Sequence, residues 1–266
     1  MREGLRLLKY SAHSWGSVQK SRLSKVAAQF EAVELLNIAR SLLKLSYREL
    51  SEILNLPESV LCRYTNGELL PSPETAVNIV NKLENLLSLD VVLKRLIKVR
   101  EGYINFTHIV TQSDLLKLYA RRVRNMFQEL GITKVLTAAT DGIPLAVSAA
   151  ISLGAELAVA KQYKDLFEDS FYETTYIAGD PPRKVTLYLP KSMLSKGDRV
   201  LIVDDIVRTG RTIQSLIDIC RQAEAQVVGI SVLIALGTEW LNKLRDVDAK
   251  IDVVLYLPST CSSQTS

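Results

Sequence analysis

The sequence predicts an α/β protein in two parts. Residues 1–105 form an all-α N-terminal domain, and residues 106–266 form a domain with a mostly parallel sheet. Three observations predict this. The chain has 266 residues, beyond what one core usually serves. From about 31 to 100 the apolar rhythm is helical, with short breaks. After about 105, short runs rich in β-branched residues alternate with helical stretches, the pattern of a parallel sheet covered by helices.

The elements follow in order. Residues 31–44 read as an amphipathic helix. Ser46 and Glu49 make a capping box for a helix over 46–55. Pro57 opens the next helix, which Asn66-Gly67 ends. Ser72-Pro73 starts another, and residues 89–100 (LDVVLKRLIKVR) read as a fifth. Strands are expected at 134–140, 156–162, 184–190, 199–205, 226–236 and 250–257, with helices near 112–129, 143–153, 210–223 and 238–246. Ligands on such sheets bind at the carboxyl ends of strands, so the turns after strands carry the most information.

Composition narrows the function. No apolar run approaches the ~20 residues that span a bilayer, and there is no signal-peptide core; no membrane partner and a cytoplasmic location are expected. Cys62, Cys220 and Cys261 are odd in number and unpaired in spacing, against a disulfide framework or a zinc site. His13 and His108 are the only histidines, and no metal cluster is visible. Charge is uneven: residues 1–105 carry 15 Lys/Arg against 11 Asp/Glu, and the remainder is neutral. Arg2, Arg6, Lys9, Lys20, Arg22 and Lys25 face only Glu3 in the first 30 residues. This is either a solvated tail or an arm drawn to a phosphate backbone.

Residues 46–67 (SYRELSEILNLPESVLCRYTNG) are two short helices joined by a tight turn. Leu50, Ile53, Leu54, Leu56 and Leu61 supply the seam. The stretch resembles the phage-repressor type of helix-turn-helix, with Tyr47 where that family often has Gln and Ser51 where it usually has Ala. The resemblance implies a recognition helix over 57–64, with Glu58, Ser59, Cys62 and Arg63 facing double-stranded DNA. Arg can read guanine and Glu can accept from cytosine. Tyr47, Arg48, the N-terminal arm and Lys94, Arg95, Lys98 and Arg100 are candidates for phosphate contacts. The other reading of these helices is a bundle used for dimerisation.

The most informative segment is VLIVDDIVRTGRT, residues 200–212. A buried strand ends in two carboxylates, and a Thr-Gly-x-Thr turn then opens a helix. Backbone N–H groups of such a turn cradle a phosphate, and Thr209 and Thr212 add hydroxyls. Asp204 and Asp205 can accept from adjacent ribose hydroxyls. Together they fit a ribose 5-phosphate. The segment resembles the phosphoribosyl pyrophosphate (PRPP) motif of type I phosphoribosyltransferases. The resemblance implies that Asp204, Asp205, Val207, Arg208, Thr209, Gly210, Arg211 and Thr212 hold the ribose 5-phosphate. Arg208 and Arg211 replace small residues, and either contact phosphate or face solvent. TAATDGIPLA, 137–146, is similar to the family's pyrophosphate loop, implying roles for Thr140, Asp141 and Gly142, and for Lys161 on the next strand.

In the family so resembled a mobile loop closes over PRPP, and in orotate phosphoribosyltransferases it is basic and glycine-rich. Here residues 163–193 begin with acids, Asp165, Glu168, Asp169 and Glu173. Residues 175–212 resemble bacterial purine repressors, and the whole arrangement resembles archaeal orotate phosphoribosyltransferase-like transcription regulators. That implies a homodimeric DNA-binding regulator with PRPP, carrying Mg²⁺ or not, as effector, no required cofactor, no catalytic residue and no turnover. The alternative is an active orotate- or purine-type transferase with an accessory helical domain.

Overall fold

The computed structural model describes residues 22–97, 99–100, 103–104, 107–179, 181–258 and 262–263. The basic arm over residues 1–21, Lys98 and Cys261 therefore lie outside the described residues. The chain divides into two compact units, Met1–Lys94 and Arg95–Ser266.

In the first unit, helix α1 runs Arg22–Leu43, nine residues earlier than the expected start at 31, because nothing in RLSKVAAQF breaks a helix. Ala28, Ala32, Leu35 and Ala39 are buried at helical spacing. Helices α2 (Tyr47–Leu54), α3 (Glu58–Thr65) and α4 (Pro73–Leu86) follow. The Ser46–Glu49 capping box is formed in both directions. Asn55 ends α2 in the left-handed conformation at φ 57°, which Asn tolerates. The Lys82 ammonium donates to the Ile53 and Leu54 carbonyls, both at 3.1 Å, neutralising the end of α2. Ser51 explains its departure from Ala: its hydroxyl donates to the Leu56 carbonyl at 2.6 Å, stitching the turn between the two helices. Leu50, Leu54 and Leu61 are buried as expected, but Ile53 is exposed and falls outside the seam. Helix α5 is Leu89–Leu96. It stops short of residue 100 because Val99–Arg100 forms strand β1, paired antiparallel with β2 (Tyr103–Ile104).

The second unit begins with that pair, to which β10 (Ser262–Ser263) adds in parallel. Helices α6 (Thr107–Val110) and α7 (Ser113–Phe127) lead to β3 (Lys134–Ala138), α8 (Ile143–Leu153) and β4 (Glu156–Ala160). Strands β5 (Phe171–Ala178) and β6 (Arg183–Pro190) pair antiparallel as a separate hairpin. Then come β7 (Arg199–Val207), α9 (Arg211–Gln222), β8 (Gln226–Leu236), α10 (Leu241–Leu244) and β9 (Lys250–Leu257). The main sheet has five parallel strands in the order β4-β3-β7-β8-β9. Strand β5 was not expected; its FYETTYIA alternation is exposed on one face and only partly buried on the other, and lacks the solid apolar run of a buried strand.

One face of the sheet packs on Ile213, Leu216, Ile217 and Cys220 of α9 and on Val185, Leu187 and Leu189 of β6. Burial pushes the Cys220 thiol up to about 12. The other face meets α7. There Gly229 leaves room for Phe127, whose ring would lie 2.9 Å from any added Cβ. The Tyr119 hydroxyl donates to Ser231 at 2.8 Å, and burial raises that phenol further. Arg122 of α7 grips the buried Asp252 of β9 through two bonds at 2.8 and 2.7 Å. Such a pair is costly to break from one side, because the remaining charge is stranded. Arg122→Ala is expected to lower unfolding stability by about 2–3 kcal/mol, discounted because Arg122 is partly exposed. Urea denaturation checks this, and a change below the usual surface-mutation scatter would show that water already solvates Asp252.

Candidate functional site

Strands β3 and β7 are neighbours, yet the chain leaves them in opposite directions, toward β4 and toward β8. A crevice opens at such a reversal, at the carboxyl ends of the strands. Residues Ala138–Gly142 after β3 and Asp204–Thr212 at the end of β7 line one cleft of about 290 Å³, joined by Gln162, Tyr176, Leu187 and Leu236.

The β7 side is built from an apolar strand that turns abruptly polar. Val200 to Val203 are fully buried and Asp204 is 7% exposed. Asp205 is half-buried, and its backbone N–H donates to an Asp204 carboxylate oxygen at 3.1 Å. Burial, and then the adjacent Asp205, holds the Asp204 carboxyl well above the usual carboxylate range. Burial raises Asp205 as well, with Asp141 across the cleft adding to it. Val207 turns into the core, so only its backbone is offered to a ligand. Gly210 caps α9 with φ 73°. A side chain there would strain the backbone and meet Trp240 and Lys243 at 3.3 Å. The turn thus aims the free N–H groups of the α9 N-terminus into the cleft, where an anion is favoured.

The β3 side is equally tight. The peptide between Ala139 and Thr140 is cis. Gly142 precedes α8, and a Cβ there would lie 2.7 Å from the Thr137 hydroxyl; only glycine fits. Thr140, Asp141 and Gly142 therefore meet Asp204, Asp205 and the 208–212 turn in one cleft. The cleft thus sets two backbone turns on either side of two acids.

Two expected residues stand elsewhere or act differently. Lys161 is not among the residues lining the cleft. Its ammonium lies 3.7 Å from Asp165 and over the Tyr163 ring; Gln162 occupies the cleft edge instead. Arg211 lines the cleft, but its guanidinium donates to the Ile177 carbonyl of β5 at 2.5 Å. Arg208 is exposed. Tyr176, which the sequence reading missed, reaches in from β5 with its hydroxyl 3.3 Å from that of Thr212. The signal for it was the aromatic and β-branched alternation of residues 171–178.

In the first unit, Arg48, Glu58, Ser59 and Arg63 are exposed and Cys62 is half-exposed. Arg48 pairs with Glu52 at 3.5 Å and Arg63 with Glu68 at 3.7 Å. Helix α3 begins at Glu58, with Pro57 as its cap. Tyr47 serves the fold: its hydroxyl meets Thr65 at 2.7 Å and Arg40 at 2.8 Å, with the guanidinium 3.9 Å above its ring.

Among the described residues, no group of His, Cys, Asp and Glu could hold a metal ion by itself, and no helix is long and apolar enough to cross a membrane.

Comparison with known proteins agrees with this geometry. The chain is 33% identical over 133 residues to the purine biosynthesis transcriptional repressor PurR of Bacillus subtilis, covering 50% of this chain and 47% of that one. It is 32% identical over 145 residues to the xanthine phosphoribosyltransferase of Staphylococcus aureus, covering 54% and 73%. The chain thus spans about half the length of the purine repressors it matches. Among solved structures, the adenine phosphoribosyltransferase of Rhodothermus marinus superposes with a TM-score of 0.56 at 26% identity, over 64% of this chain and 99% of that one. The Phosphoribosyl transferase domain model matches residues 109–255, which include both cleft loops and both acids, and the chain belongs to that family.

Proposed function

We propose that this protein is a DNA-binding transcription regulator that senses PRPP, or a closely related phosphoribosyl compound, without turning it over. The observation that carries the reading is the convergence of Asp204, Asp205, the 208–212 turn and the 139–142 loop on one cleft, in a chain that also presents α3 with an exposed Arg63. The turn would take the 5-phosphate, the two acids the ribose hydroxyls, and the 139–142 loop the pyrophosphate. The acids also suit a divalent cation arriving on the ligand's pyrophosphate. The likeness to purine repressors supports the regulatory half. Its finer form is an archaeal orotate phosphoribosyltransferase-like regulator acting as a homodimer on a roughly palindromic operator.

The 171–190 hairpin supports sensing over catalysis. Among its described residues, those that line the cleft are Tyr176 and Leu187, and neither is a cation. The second reading, an active phosphoribosyltransferase, draws on the xanthine phosphoribosyltransferase likeness. Fluorescence anisotropy on DNA from upstream of the protein's own gene, with and without PRPP, tests the first. Release of pyrophosphate with a nucleobase would favour the second.

Two expected outcomes follow from the residues. Both acids retain protons in the folded state that the unfolded chain releases, so ligand-free stability falls as pH rises from about 3.8 through the raised values. Asp204→Asn should flatten that slope, raise the urea midpoint near neutral pH, and weaken a ribose-bearing ligand by about tenfold or more. A variant with wild-type affinity in calorimetry would remove Asp204 from the site. Arg63→Ala should cost about 1–3 kcal/mol on the preferred operator and relax the preference at one base pair. A loss equal on every sequence would make Arg63 a phosphate contact.

A further inference from the structure

We infer that Tyr176 is a ligand-binding residue, contributed by the β5–β6 hairpin, that donates its hydroxyl to the 5-phosphate beside Thr212. The inference rests on the phosphoribosyl reading of the cleft and goes beyond it, since no backbone turn or acid of the motif calls for an aromatic donor. Tyr176 lines the same cleft as the 208–212 turn, and its hydroxyl is 3.3 Å from the Thr212 hydroxyl. A phosphate seated on the turn presents several acceptor oxygens, and two hydroxyls at that spacing can donate to one oxygen or to two adjacent ones. On binding, the Tyr176–Thr212 contact is exchanged for two charge-assisted bonds of the stronger kind.

The hairpin is built to hold the hydroxyl there. The next residue along β5, Ile177, has its carbonyl gripped by Arg211 at the first turn of α9. Further along, the Gln222 amide donates to the Glu173 carbonyl at 2.9 Å, and the Glu173 N–H donates back to the Gln222 side-chain oxygen at 3.3 Å. Strand β5 is thus fixed to both ends of the helix whose N-terminus receives the phosphate. Tyr176 thus stands beside Thr212 at the end of the turn and adds a neutral donor to a cleft that Arg208 and Arg211 also line.

The test is calorimetric titration of the full chain with two probes, ribose 5-phosphate and inorganic pyrophosphate. Tyr176→Phe should weaken ribose 5-phosphate about tenfold, the range for one lost hydrogen bond to a charged group, and leave pyrophosphate within about two-fold. An unchanged melting temperature establishes that the variant is folded. The same substitution in a Thr212→Val background separates direct from indirect action. A further loss there supports contact with the ligand. No further loss means that Tyr176 acts only by orienting Thr212, which overturns the assignment. An equal loss for both probes also overturns it, because the effect would then be a general loosening of the cleft. If the wild-type chain binds neither probe, the phosphoribosyl reading itself fails and this inference falls with it.

Discussion

Two adjacent carboxylates at the end of a buried strand set the terms for the α/β unit. Burying one ionised acid is costly, and burying two side by side adds their repulsion. The structure accepts both costs at Asp204 and Asp205. It limits them by ending the buried run at Val203, by giving Asp204 an N–H donor, and by opening the acids to a cleft rather than to the core. The features around them serve that placement. Strand β7 is central in the sheet, Gly210 allows α9 to start close behind, and Gly142 lets the facing loop approach. Stability is held elsewhere, in the α9 face of the core and in the Arg122–Asp252 clamp far along the sheet. A site that destabilises its own empty state favours any ligand that satisfies it.

This explains why the centre of the site was legible in the sequence and its periphery was not. A strand, two acids and a glycine turn are contiguous, and each has a local chemical reason, so the strand, turn and helix start of residues 200–212 are legible as structure. The 137–142 loop was legible for the same cause. What failed depended on partners distant in sequence. Lys161 lies at the expected strand end, but whether it faces the cleft depends on Asp165 and Tyr163. Arg211 was left between phosphate and solvent by the sequence, and the fold gives its guanidinium a carbonyl of β5. Strand β5 was missed because a two-stranded hairpin lying on a helix needs no solid apolar run.

The helical unit shows the same division. Capping boxes and helix stops are local, and Ser46, Glu49, Asn66 and Gly67 read correctly. Tyr47 and Ser51 looked like departures at contact positions. Both are compensated by partners within the unit: Thr65 and Arg40 for the phenol, and the Leu56 carbonyl for the serine. The packing of these two helices thus accommodates both polar groups, because each found an acceptor or donor.

If the protein is a sensor, ligand occupancy must favour one arrangement of the DNA-binding helices over another, and only a difference in affinity between arrangements can do that. The covalent path constrains where such a difference is felt. Helix α5 ends at Leu96, and the chain passes at once into β1 and β2, which pair with β10 from the far C-terminus. Strand β9 precedes β10 and is an edge of the sheet whose carboxyl ends form the cleft. The segment leaving the helical unit is therefore tied by backbone hydrogen bonds to the chain that leaves the ligand-bearing sheet. Backbone pairing of this kind does not depend on side-chain identity, so a coupling route through it would leave no motif in the sequence. The segments proposed to read DNA and phosphate are each contiguous in the sequence. The β2–β10 pairing, by contrast, joins residues more than 150 apart, and only the fold reveals it.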